Sequence, residues 1–136
     1  MNTEFQGKLE LNNLCFTQCA FKRQKKLDSQ FELHYGFEVV YTNCTDDSQT
    51  VTINVHIFDD KNQFNLLVVE EADVNVVNAD VLDKKLCKEL LDVNSIALMM
   101  PYLRSQVVLM TAQPGITPVQ LPIVDATKLA ECAIRK

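Results

Sequence analysis

Up to residue 77 polar and apolar side chains alternate with a period of two, and beyond residue 80 the apolar spacing lengthens to four, which predicts strands first and helices afterwards. From Phe31 to Tyr41 every odd position is apolar, while Glu32, His34 and Glu38 take even positions, as in a half-buried strand. Val51, Ile53, Val55 and Ile57 repeat the pattern against Thr52, Asn54 and His56. The segment Thr42–Gln49 between the two runs is rich in turn formers, so they predict an antiparallel hairpin. After a turn at Asp59-Asp60-Lys61-Asn62, the residues Phe64, Leu66, Val68, Ala72, Val74 and Val76 predict an unusually long strand. Near the start, Leu9 and Leu11 are apolar on odd positions but Leu14 and Phe16 on even ones. A bulge at Asn12-Asn13 reconciles the two phases.

Leu82, Leu86 and Leu90 lie four apart, with Asp83, Lys84, Lys85, Lys88 and Glu89 on the other side, predicting a short helix over about 80–91. Asn94 or Ser95 can cap a second, longer helix, with Pro101 in its first turn or at a kink. Gln113-Pro114-Gly115 stops that helix. Ile116–Val124, which contains Pro118 and Pro122, is expected to be extended and unable to pair as a central strand. Asp125 can cap a terminal helix through Leu129, Cys132 and Ala133, with Arg135 and Lys136 at its negative end. Strands followed by helices argue for an α+β fold, a four-stranded antiparallel sheet with helices packed on one face. No repeat, low-complexity run or linker divides residues 1–136, so a single domain is expected.

The long helix carries Tyr102, Leu103, Val107, Val108, Leu109, Met110 and Ala112. At about 100° per residue these cover far more than one stripe, so the helix needs cover on two sides, most simply from its own sheet and from a second subunit.

The chain has 136 residues, of which 47% are hydrophobic and 23% charged, fitting a globular protein with a core of its own. No apolar run approaches the length of a spanning helix, and Met1-Asn2-Thr3-Glu4-Phe5 lacks the features of an export signal, so no membrane insertion and a cytoplasmic location are expected. A net charge of -5 argues against nucleic acid as a partner. The one basic cluster, Lys22-Arg23-Gln24-Lys25-Lys26, has no interleaved aromatics and reads as a solvated loop. The five cysteines, Cys15, Cys19, Cys44, Cys87 and Cys132, form no Cys-x-x-Cys pair and read as reduced, mostly buried thiols. His34 and His56 fall on the outward positions of their strands, so no metal site is expected. No glycine-rich phosphate loop, Gly-x-Ser-x-Gly or His-Glu-x-x-His occurs, and Asp46-Asp47 and Asp59-Asp60 lie in turns where aspartate serves the backbone. Glu70-Glu71 is a third acidic pair. Asn43-Cys44-Thr45 matches a glycosylation sequon, which matters only in a secreted chain. The residues point to no enzyme and to no cofactor.

Ile96–Arg104, with its Met100-Pro101-Tyr102-x-Arg104 core, resembles the SecB family of bacterial export chaperones, whose pattern there is Phe-Pro-Tyr-x-Arg. The likeness continues through Gly115, Pro118 and the run Leu121-Pro-Ile-Val-Asp125, and more loosely through Phe64–Val76. It covers roughly residues 64–130, while residues 1–60 agree in pattern only. The resemblance implies a four-stranded sheet backed by helices, a homo-oligomer built as a dimer of dimers through the long helix, and an apolar groove for unfolded polypeptides. On that basis Leu33, Tyr35, Leu66, Val68, Val119, Leu121, Ile123 and Val124 match groove positions, and Tyr102, Leu103, Val107 and Met110 are assigned to the oligomer interface. Any one groove position can equally be core, since both call for an apolar side chain. Family members carry Phe where this chain has Val74 and Ala126, which implies a shallower groove. The acidic positions that dock the SecA motor fall on Asn13, Thr17 and Leu67, none of them acidic, so SecA docking is not expected.

The function expected is that of an ATP-independent holdase for non-native chains, with protein export as the family setting. A chaperone dedicated to one client, such as an antitoxin, is the alternative. A small-ligand or enzymatic role on the same scaffold is a third reading.

Overall fold

In the computed structural model, which describes residues 8–136, the alternating half of the chain forms four strands: β1 (Lys8–Arg23), β2 (His34–Thr42), β3 (Ser48–Phe58) and β4 (Phe64–Val77). The stretch Met1–Phe5 read for an export signal lies outside the described residues. The long strand expected after the Asp59 turn is β4, 14 residues in length. β2, β3 and β4 pair antiparallel in sequence order, and β1 folds back beside β4.

The register sets the even residues of β4 beside the odd residues of β3, so Leu66 lies opposite Ile57, Val68 opposite Val55, and Ala72 opposite Val51. All six are buried. Each large aliphatic removed from water is worth about 1.5–3 kcal/mol, so this inner face decides the register against a one-residue slip, which would turn every one of them outward.

β1 keeps its own apolar residues on the same face by shifting phase twice. The register slips between Asn12 and Cys15 and again between Phe16 and Gln18. Leu9 and Leu11 are therefore in phase with Phe16, and Phe16 in phase with Phe21. Asn13 sits at φ 54, a left-handed conformation that Asn tolerates better than most residues, which places the first bulge where the two phases meet. Asn43, Asn62 and Asn78 have φ near +55 as well (53, 56 and 57); Asn43 and Asn78 directly follow β2 and β4, and Asn62 lies in the turn before β4.

Four expectations are corrected. The sheet is mixed and five-stranded, because Ile134–Arg135 forms β5, parallel to β2. Arg135 therefore does not sit at a helix end as a dipole partner. Its guanidinium is 2.8 Å from the Asp92 carboxylate and 4.8 Å over the Tyr41 ring. Phe31–Leu33 precede β2 and are not in a strand, while Lys22 and Arg23 belong to β1, leaving Lys25 and Lys26 in the exposed turn.

The two predicted helices form one run. A 3-10 turn (Ala79–Val81) leads to α1 (Lys84–Glu89), which passes through a π turn (Leu90–Asn94) into α2 (Ser95–Thr111). Neither Asn94 nor Ser95 caps α2. Asn94 has helical φ and ψ, and the Ser95 hydroxyl donates back to the Leu91 carbonyl at 2.5 Å. Side chains from the sheet satisfy the same turn, since the Tyr41 hydroxyl donates to the Asp92 carbonyl at 2.6 Å and Gln49 Nε2 to the Leu91 carbonyl at 2.8 Å. With those carbonyls bonded from outside, the helix has no need to break there.

Pro101 lies inside α2, past its first turn. Both Pro101 and Ala97, whose carbonyl lacks the N–H that proline would have supplied, are on the exposed side, where water can serve that carbonyl. Along α1 and the π turn the buried pair is Cys87 and Leu91, one position on from the predicted stripe, and Leu86 is 40% exposed. The terminal helix α3 (Ala126–Glu131) begins as expected, with the Asp125 side chain accepting from the Thr127 N–H at 2.9 Å.

Candidate functional site

α2 ends at the Gln113-Pro114-Gly115 stop, where Gly115 takes φ 86, and residues 116–124 then run without strand or helix. Thr111 and Arg104 of α2 both bond to this crossover. The buried Thr111 hydroxyl donates to the Val107 carbonyl and accepts from the Val119 N–H, each at 2.8 Å. Val119 and Leu121 turn inward and are buried, Val124 is partly so, and Ile123 is 97% exposed. Thr111→Val keeps the volume but leaves the Val119 N–H without its acceptor. It is expected to lower stability by about 1–2 kcal/mol in urea unfolding.

Between the crossover and the chain leading into β2 lies an apolar cleft of about 310 Å³, with Leu27, Phe31 and Leu33 on one wall and Ile116 and Val119 on the other. Phe64 forms its floor and packs on Phe31 at 5.7 Å and on Phe21 at 4.9 Å between ring centroids. The loop carrying the first wall is tied back to the sheet, with Asp28 accepting from Lys61 Nζ at 2.7 Å and the Asp28 N–H donating to Gln63 Oε1 at 2.8 Å. The Lys61 ammonium beside Asp28 holds its carboxyl below the ordinary value. Asp59, in the adjacent turn, accepts from the N–H groups of Lys61, Gln63 and Phe64. Burial pushes the Asp59 carboxyl up, but those bonds outweigh it and hold it low. Asp59 therefore serves the backbone of its turn, while Asp60 meets His34.

Of the residues assigned to a groove, Leu33 and Val119 face each other across this cleft. Tyr35, near the start of β2 opposite Ile57, is 38% exposed. Leu66 and Val68 are fully covered on the inner face of β4, so they belong to the core of this conformation and are not cleft wall. Val74, matching a family phenylalanine, is likewise buried beneath the helices. Phe31, Leu27, Phe64 and Ile116 complete the cleft without having been singled out. The signal for Phe31 was its odd-position phase with Leu33; Leu27 lies in the basic turn, where no periodicity marks it.

The long helix divides its apolar residues between two faces. Leu103 and Val107, assigned to an interface between subunits, are fully enclosed by their own chain along with Ile96 and Met99, because α2 lies across β4, β3 and β1. Tyr102 remains on the outer face at 54% exposure, joined by Leu98 at 45% and Leu109 at 70%. Met110 is partly buried at the flank. Arg104, in the Pro-Tyr-x-Arg stretch, reaches the Pro122 carbonyl at 3.4 Å.

A larger cleft of about 820 Å³ lies at the opposite end of the sheet, where Asp46, Asp47 and Asp80 face Lys84, Lys88 and Arg135. Its lining mixes these charges with Ala79, Leu82 and Leu91, so it is less uniformly apolar than the first. No group of three or more metal-binding side chains occurs among the described residues, and no helix among them is long and apolar enough to cross a membrane. His34 and His56 lie on the outer face of the sheet, where His34 meets Asp60 at 3.1 Å and His56 meets Asn65 at 3.0 Å. Four of the five cysteines are exposed and only Cys87 is buried, contrary to the expectation of mostly buried thiols; none is in a disulfide. At the positions matching the SecA dock, Asn13 donates to Asp73 at 2.9 Å and Thr17 is exposed.

No protein-family model matches the chain, and no curated protein does either. Among solved structures, a SecB-like chaperone of Mycobacterium tuberculosis, in complex with a ChAD peptide from the HigA1 antitoxin, is similar in fold with a TM-score of 0.65. The two share 13% identity over 85% of this chain and 89% of that one. A protein of unknown function from Streptococcus agalactiae matches with a TM-score of 0.47 and 7% identity, over 86% of this chain and 98% of that one. The fold is SecB-like.

Proposed function

We propose, with the SecB-like fold as premise, that this protein is a chaperone that captures non-native polypeptide segments without ATP, in the apolar cleft between the β2 approach and the crossover. One observation carries the reading: an aromatic-floored cleft is walled by a segment that has no backbone ladder of its own and is pinned to the helix through Thr111. A wall of that kind adapts to different side chains, and an unfolded client presents apolar groups in no fixed order. The exposed Tyr35 and Ile123 extend the apolar surface beyond the cleft, so several weak contacts along one client can add. Capture of this kind needs no reaction and no cofactor, and the clients are unfolded chains in the cytoplasm. Export of those clients is the family setting, without docking to SecA.

The test is suppression of aggregation of a denatured model substrate. A several-fold excess of this protein is expected to suppress it, and Ile116→Asp, which puts a charge into the cleft wall, is expected to weaken client binding at least tenfold. No suppression by the unaltered protein overturns the reading.

Dedication to a single client is the second reading, favoured by the antitoxin peptide bound to the Mycobacterium tuberculosis neighbour. Affinity purification from cells separates the two, since a dedicated chaperone brings down one dominant partner and a general one brings down many.

The outer face of α2, with Leu98, Tyr102 and Leu109, is where a second copy of this chain would pack, making a homo-oligomer and ultimately a dimer of dimers.

A further inference from the structure

The inner face of β4 is apolar at every even position but one. Between Val68 and Ala72 stands Glu70, fully buried, and neither of its carboxyl oxygens has a hydrogen-bond partner among the described residues. Its register neighbours are Ile53 on β3 and Phe16 on β1. α2 and the π turn pack across this face, and α2 turns Ile96, Met99, Met100, Leu103 and Val107 inward, together with Ser95 and Thr111, whose hydroxyls donate to the Leu91 and Val107 carbonyls. None of these is charged.

The ionisable groups of the surrounding elements are engaged elsewhere. On β1, Cys19 lies opposite Val68 and accepts from Gln106 of α2. Arg23, opposite Phe64 at the far end of the strand, donates to the carbonyls of Gln24 and Lys25. Arg104 of α2 turns to the Pro122 carbonyl, and Asp92 of the π turn is held by Gln49 and Arg135. The inner face of β3 offers Val51, Ile53, Val55 and Ile57, with Gln49 at its end opposite Val74, where its amide donates to the Leu91 carbonyl and to Asp92. A carboxylate at this position thus has neither a cation nor a donor to offset its lost hydration. Burial pushes the Glu70 carboxyl up to about 8 from an ordinary 4.5.

We propose that Glu70 is a pH-operated wedge at the interface of sheet and helix: neutral, it lets α2 lie on β4; ionised in mildly alkaline medium, it drives α2 off the sheet and uncovers Leu66 and Val68. Those two side chains share the inner face of β4 with Glu70, and they are groove positions by resemblance that the closed conformation covers completely. The wedge supplies a route by which they meet a client. It rests on the chaperone reading only for that consequence, because the opening itself is measurable without a client.

The experiment follows bis-ANS fluorescence and far-UV circular dichroism from pH 6 to 9.5 for the full chain, Glu70→Gln and Glu70→Leu. The unaltered protein is expected to gain several-fold in dye fluorescence, half complete near pH 8, with its helical signal kept, and both variants are expected to stay flat. Three results overturn the wedge: a flat profile in the unaltered protein, the same rise in both variants, or a rise accompanied by loss of the helical signal. Aggregation suppression alongside a flat dye profile removes the wedge and leaves the chaperone reading. A Glu70-dependent dye transition in a protein that suppresses no aggregation at either end of the pH range supports the wedge and removes the chaperone reading.

Discussion

Glu70→Gln is expected to abolish most of the pH dependence of folding stability between pH 5 and pH 8, and Glu70→Leu to give the most stable chain at alkaline pH. The folded protein holds the Glu70 proton up to about pH 8, while the unfolded chain releases it near the ordinary 4.5. Between those values the native state binds one more proton than the unfolded state. Stability therefore falls as pH rises, by about 1.4 kcal/mol per pH unit from this group alone. Below the unfolded value both states are protonated and the contribution is fully present; above the folded value it is lost. Across the window the loss is on the order of 5 kcal/mol, a large part of what an ordinary domain possesses. Leucine removes the titration and adds apolar burial at a site already lined by aliphatic side chains, so its advantage over glutamate at pH 9 is expected to reach about 4 kcal/mol or more. Urea unfolding at pH 5, 7 and 9 checks this through the midpoint at constant slope. Parallel pH profiles for the natural chain and Glu70→Gln would show that the carboxyl is hydrated or paired in solution.

Period-two alternation located β2, β3 and β4 because one face of each is dry and the other wet, and a pattern of that kind is a direct image of burial. The same logic reached the bulge at Asn13, where two phases collide within a few residues. It missed the second slip in β1, since Thr17 and Gln18 interrupt the apolar series without naming a turn. It also missed β5: two residues paired to an edge strand leave no periodic trace, and Arg135 read as a helix-end charge because its actual partner, Asp92, is brought close only by the fold. The break expected at Asn94 failed for a related reason. Cap residues were present, yet the Leu91 and Asp92 carbonyls take donors from Ser95, Gln49 and Tyr41, and no local pattern reports side chains arriving from β2 and β3.

For the site, the crossover was legible from Pro118 and Pro122, and its inward residues from composition. Which apolar side chains are wall and which are core was not, because hydrophobicity is common to both. Leu33 and Leu66 carry the same side chain; only the three-dimensional stacking of α2 on β4 makes one accessible and the other closed. Glu70 stood within a run of even apolar positions, and as part of an acidic pair it resembled a solvated surface. The phase of the strand, which turns position 70 inward, was the signal that set it apart from Glu71.

Placing charge on the outer face of α2 is expected to dissociate the homo-oligomer proposed above. Leu98, Tyr102, Ser105 and Leu109 recur at spacings of four, three and four, so they form one stripe along the helix, turned away from the stripe of Ile96, Met99, Leu103 and Val107 that the sheet already covers. Two of the large side chains on this outer stripe are more than half exposed, Tyr102 at 54% and Leu109 at 70%. Ser105 between them is small enough to admit a facing helix closely, and Tyr102 is of the residue type that most often anchors an interface. In a two-fold arrangement each substitution appears twice, once from each copy. Removing an anchor of this kind costs about 2 kcal/mol or more, so Tyr102→Glu combined with Leu109→Glu is expected to weaken association by at least about a thousandfold. The protomer should remain folded, because both side chains are more than half exposed on the outer face. Light scattering decides the matter: the natural chain is expected at a multiple of its 15.4 kDa, and the double variant at that mass with unchanged circular dichroism. A natural chain found as a monomer at micromolar concentration removes the interface and leaves the outer stripe of α2 free to contact clients.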